Sequence, residues 1–130
     1  MITGFNTKQT FNGNVEEFTM ARLRVLHTIQ KVEREVKSLE FRLAEDQIVS
    51  PTRARNMFKQ IGAVESVLLS TMTTIQQLDN EAVMTEWIDD TSDFSLVNQE
   101  RWNLNGDAVW LNQLQLDIQK VEGKLNRKIA

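Results

Sequence analysis

From Val15 onward, large apolar residues recur at alternating steps of three and four: Val15, Phe18, Val25, Ile29, Val32, Val36, Leu39 and Leu43. That rhythm places them on one stripe of an α-helix, in the manner of a coiled-coil seam. Arg22 is the one interruption. Asn14 supplies an N-cap oxygen, and Glu17 stands where it can return a bond to it, so the pattern predicts a helix over 14–47. Ile48-Val49-Ser50-Pro51 then breaks the rhythm with a β-branched pair, a capping Ser and a Pro suited to the first turn of a new helix. A second helix is expected over 51–88, with Met57, Ile61, Val64, Leu68, Ile75, Leu78 and Ala82 on its seam and Thr71 as its polar break. Each helix spans about 50 Å, and so short a turn forces them antiparallel.

Gly62 lies inside the second helix beside Ala63, Ser66 and Ser70, a small surface that suggests close approach of another helix. Residues 89–106 read as a long connection, with alternating Phe94/Leu96 and Trp102/Leu104 hinting at a small extended element. A third helix is expected over 107–128 on the stripe Leu111, Leu114, Ile118, Val121 and Leu125. Residues 1–13 are polar, with Phe5 and Phe11 as their large apolar anchors, and read as an extended arm. The expected fold is all-α: a long antiparallel helical hairpin plus a third, C-terminal helix and an N-terminal arm, in a single domain over 1–130.

Composition supports a folded chain, with 41% hydrophobic and 25% charged residues. No sequence stretch has the length and apolarity of a membrane span, and the N-terminus lacks the pattern of a signal peptide. A soluble, cytoplasmic protein is therefore expected. The net charge of −3 is unevenly spread: 51–62 hold Arg53, Arg55 and Lys59 without an acid, whereas 63–100 carry eight acids and no Lys or Arg. A dominant basic surface of the kind that holds nucleic acid is missing.

The chemistry is sparse. The chain has no Cys, which removes disulfides, thiolate metal sites and thiol nucleophiles. His27, the single histidine, stands in neither a triad nor a zinc-protease spacing and falls on the outer line of the first helix with Met20, Arg34 and Phe41. Asp89, Asp90, Ser92 and Asp93 lack the spacing and central Gly of a calcium loop. Glu33, Glu35, Glu40 and Glu45 interleave with Lys31, Arg34, Lys37 and Arg42 as a salt-bridged surface, not as paired catalytic carboxylates. The five glycines are too dispersed for a phosphate loop. No catalytic, metal-binding or cofactor-binding residue is assigned, no small-molecule substrate is expected, and the chain is not expected to be an enzyme.

Candidate contact residues remain. Arg53, Arg55 and Lys59 oppose the dipole at the start of the second helix, so either Glu45 and Asp46 offset them or the hairpin tip meets an acidic partner. Lys124, Arg127 and Lys128 suit a helix C-terminus. Met20, Leu23 and Phe41 are apolar on an outer line, and Trp87, Phe94, Trp102 and Trp110 either pin the connection or form a contact cluster. The expected function is a non-catalytic structural or assembly protein that packs against itself or other proteins through helical surfaces and its arm. A small phage virion component of head, neck or tail is one concrete form, by general likeness of small helical assembly proteins and not by any motif. The alternatives are a regulatory or nucleic-acid-associated module using Arg53, Arg55 and Lys59, which is less favoured, and an assembly chaperone or adaptor.

Overall fold

The computed structural model describes residues 14–84 and 91–129, the side chains of 91–94 excepted. Three helices account for nearly all of them: α1 (Val15–Glu45), α2 (Pro51–Met84) and α3 (Thr91–Lys128). The arm over 1–13, with Phe5 and Phe11, lies outside the described residues, as do 85–90.

α1 starts where its cap predicts. The Asn14 side-chain oxygen accepts from the Glu16 and Glu17 backbone N–H groups, and Glu16 and Glu17 place negative charge at the positive end of the helix. The helix ends at Glu45, two residues earlier than the sequence suggested, because Asp46 turns to extended backbone. From there Val49 is drawn inward: it is 1% exposed, and its N–H donates to the Lys128 carbonyl at 2.8 Å. The Ser50 hydroxyl accepts from Arg53 N–H, capping α2, with Pro51 at its first position.

Cross-helix contacts fix the directions. Arg42 pairs with Gln60 and Asp46 with Arg53, so α2 runs antiparallel to α1. Arg22 meets Asp107, Glu33 meets Trp110, and the Leu43 carbonyl meets Lys128, so α3 runs parallel to α1. Each pair of helices packs together, which makes an up-down-up bundle with one shared core. The expected seams of α1 and α2 are buried, apart from Val15, which is half-buried, and Ala21 and Ala54 join them. The third seam consists of Val97, Leu104, Leu111, Leu114, Ile118, Val121 and Leu125.

The main correction concerns 89–106. Residues 91–106 are not an irregular connection with an extended element: they continue α3 for four turns before Asp107, so the third helix is 38 residues long. Phe94, Leu96, Trp102 and Leu104 are helical, and their apparent alternation is incidental. Val97 and Leu104 are buried seven residues apart, but the seam position after Leu104 is Asp107. The apolar rhythm is therefore too thin to read from this segment alone. What holds it is the bundle, through burial of Val97 and Leu104 and the Arg101–Asp79 ion pair at 2.9 Å.

The expected close approach at Gly62 is also corrected. A Cβ built there meets nothing within 4 Å, and the same holds for Gly106. Neither glycine is required by packing within this chain.

Candidate interaction surface

The polar residues on the seams are the first place to look for chemistry. Arg22, the interruption of the α1 stripe, reaches across to Asp107 on α3, with Nε to Oδ2 at 3.3 Å and Nη2 to Oδ1 at 3.5 Å. The side chains are 16% and 6% exposed. Burial pushes the Asp107 carboxyl above its ordinary value. The Arg22 hydrogen bond and charge pull it back only in part, and the Glu100 charge adds to the rise. Each member of this ion pair is engaged by the other, and no nucleophile accompanies it among the described residues. Thr71, the polar break of α2, satisfies itself by donating to the Val67 carbonyl one turn back at 2.7 Å. Among the described residues, no group of three His, Cys, Asp or Glu side chains converges in a way that could hold a metal ion. No helix there is long and apolar enough to cross a membrane.

The hairpin tip is engaged internally. Arg53 forms an ion pair with Asp46 across the turn, and the Arg55 guanidinium donates to Thr52 at 3.5 Å. Lys128 donates to the carbonyls of Leu43 and Asp46 at 2.9 and 2.8 Å, so a cation from α3 caps the negative end of α1. The offset expected from Asp46 is therefore present for Arg53. Arg55 and Lys59 are exposed.

The expected apolar line on α1 is not continuous. Met20 and Phe41 are 56% and 68% exposed but stand 21 residues apart, about 32 Å along the helix. His27 and Arg34 lie between them on the same line, and Leu23, 38% exposed, is off it toward α3. The aromatics divide. Trp110 is half-buried and donates its ring N–H to Glu33 at 3.0 Å, pinning α3 to α1. Trp102 is 74% exposed. The side chain of Phe94 lies outside the described residues.

A different surface comes from the exposure pattern. The exposed positions of α1 include Arg24, Lys31, Arg34, Glu35, Lys37 and Glu40, an ordinary charged and solvated face. α2 and α3 are unlike it. From Gln60 to Met84 no exposed position is charged, since the three acids Glu65, Asp79 and Glu81 are all half-buried. From Ser95 to Gln119 on α3 no exposed position is charged either. Leu69, Val83, Trp102, Val109 and Leu116, each more than half exposed, stand on these two outer faces among Asn, Gln, Ser and Thr.

The Asp79–Arg101 pair joins α2 to α3 along the flank between the two faces, so they form one continuous side of the bundle. Sequence reasoning found only Trp102 of this set. The missed signal was the seven-residue recurrence of Trp102, Val109 and Leu116, which is invisible while Trp102 is assigned to a loop.

No family model matches the chain, and neither a curated protein nor a solved structure does.

Proposed function

We propose that this chain is a non-catalytic structural or assembly protein that packs into a larger complex through the outer side of α2 and α3. The observation that carries this reading is the segregation of charge. One helix of the bundle is covered with Lys, Arg and Glu, while two turn toward solvent a side that has exposed Leu, Val and Trp but no exposed charge over some 25 residues each. Charge is what keeps the outside of a helical bundle in water, and charged residues are depleted at the centre of protein interfaces, where aromatic residues are enriched. Single exposed apolar residues need no explanation, whereas a side that combines them with the loss of all exposed charge does.

A phage virion component remains one concrete form of the proposal, resting on the general likeness of small helical assembly proteins. The nucleic-acid reading draws less support, because Arg53 of the hairpin tip is engaged by Asp46.

The test is native purification from the cells that make the protein, with sizing and chemical cross-linking. The expected result is a species well above 15.0 kDa with the chain as a stoichiometric member. Recovery as a lone monomer at its cellular concentration overturns the proposal.

A further inference from the structure

We infer that the occupant of this side is a second copy of the same chain, paired antiparallel through α3 about a twofold axis at Val109. The inference rests on the assembly reading above and names its partner.

Three observations point to self-pairing. Trp102, Val109 and Leu116 are 74%, 69% and 52% exposed and recur every seventh residue, which lines them up along the outside of α3 as a second seam behind the core-facing one. A parallel line of exposed amides, Asn98, Asn105, Asn112 and Gln119, runs beside them at the same spacing. A side-chain amide both donates and accepts, so a row of amides complements an identical row. In a twofold interface each patch meets itself, and a charge close to the axis meets its own like charge. Between Ser95 and Gln119 there is no exposed charge to do so.

The direction of pairing follows from symmetry and charge. Val109 is midway between Trp102 and Leu116, so an antiparallel axis there sets Val109 against Val109 and Trp102 against Leu116 of the second copy. It also sets Asn105 across from Asn112. The last turns of α3 carry Lys120, Lys124 and Arg127, whereas its first turn carries Asp93 and no cation. Antiparallel pairing brings the basic end of each copy toward the Asp93 turn of the other, and parallel pairing sets the two basic ends against each other.

The available area is adequate. Asn98 to Gln119 covers about 32 Å of helix, and two helices side by side are about 20 Å wide. That is roughly 640 Å² in projection, close to the ~800 Å² per partner of a standard interface.

The absence of Cys makes the arrangement directly testable in the full chain. Under mild oxidation Val109→Cys is expected to give a covalent dimer in high yield. The double variant Trp102→Cys/Leu116→Cys is also expected to cross-link. Each of those singles is not, because antiparallel pairing holds identical residues about 21 Å apart there, far beyond the ~4.4–6.8 Å Cα separation a disulfide spans. The two cysteines of the double variant are equally far apart within one chain, so any disulfide joins copies. Phe41→Cys on α1 serves as the exposed control and is expected to remain monomeric.

Efficient cross-linking of Trp102→Cys alone overturns the antiparallel arrangement. Failure at Val109, with the purified chain sedimenting as a monomer, overturns self-pairing even where native purification still finds the chain in a larger complex. A lone monomer in both experiments removes the assembly reading with it.

Discussion

Replacing both members of the part-buried Arg22–Asp107 pair by Leu is expected to stabilise the bundle at neutral pH. The Asp107 carboxylate is 6% exposed and the Arg22 side chain 16%, and their closest approach is 3.3 Å. Strong charge-assisted bonds are shorter, about 2.7–2.9 Å, so the attraction here is below what the best geometry gives. The Asp107 carboxyl lies above its ordinary value, so burial, the largest cause, together with the Glu100 charge outweighs Arg22. A partly desolvated pair of this kind is often about 1–4 kcal/mol less favourable than well-packed apolar residues.

Arg22→Leu/Asp107→Leu completes both stripes and should gain about 1–4 kcal/mol. Arg22→Leu alone strands a buried carboxylate and should cost about 3–5 kcal/mol. Asp107→Leu should cost less, about 2 kcal/mol, because the guanidinium on its long stem can reach water.

The pH dependence supplies an independent check. The folded-state value of Asp107 lies above the unfolded one, so protonation favours the folded chain. Its contribution is fully present below the ordinary value of 3.8 and is lost as pH rises through the folded value. In Arg22→Leu the lowering influences of Arg22 are gone, so the window widens upward and the deficit is larger at neutral than at acidic pH. The double variant has no such dependence from this site.

Urea unfolding followed by circular dichroism measures all four proteins, with equal slopes required so that midpoints report stability. A double variant less stable than the parent, or an Arg22→Leu deficit that does not change with pH, refutes the reasoning.

Other predictions follow from single contacts. Gly62→Ala and Gly106→Ala, at positions where an added Cβ meets nothing, should each stabilise by about 0.5–1 kcal/mol in the same urea assay. Lys128→Met removes the cation that caps the Leu43 and Asp46 carbonyls. It should cost about 1.5–3 kcal/mol and speed hydrogen exchange in the last turn of α1, whereas Lys124→Met, at an exposed position, should change little. Asn14→Ala should cost about 1 kcal/mol, read as a lower thermal midpoint, through loss of the bonds to Glu16 and Glu17 N–H.

The hairpin was legible because α1 and α2 carry nearly unbroken stripes and because Ser50-Pro51 marks the turn on its own. Arg22 looked like a defect in the stripe, and no local rule identifies its partner 85 residues away. For the same reason the first half of α3 was lost. Its seam depends on Asp107, which belongs in a core only when Arg22 is already there, and on Val97 and Leu104 a full seven residues apart. Helix formation at 91–106 is thus a tertiary consequence, in which burial and the Arg101–Asp79 ion pair override a polar, Asn-rich and Gly-containing segment.

The outer side of α2 and α3 shows the same limitation. The run without Lys or Arg over 63–100 was visible in the sequence, but its acids count as an acidic surface until the fold shows Glu65, Asp79 and Glu81 half-buried between helices. Among the described residues of that run, the exposed positions then carry no charge. Trp102 belongs to α3 and not to a connection.

The most direct measurement of the central claim is sedimentation of the purified chain across a wide concentration range, alongside Val109→Glu, Leu69→Glu and Phe41→Glu. All three positions are more than half exposed, so the helical signal should be unchanged in each. If the α2–α3 side is the assembly surface and α3 its centre, the parent approaches twice 15.0 kDa. Val109→Glu raises the dissociation constant at least tenfold, Leu69→Glu raises it less, and Phe41→Glu leaves it unchanged. A parent that stays at 15.0 kDa throughout, or one whose association is abolished by Phe41→Glu and untouched by Val109→Glu, contradicts the account.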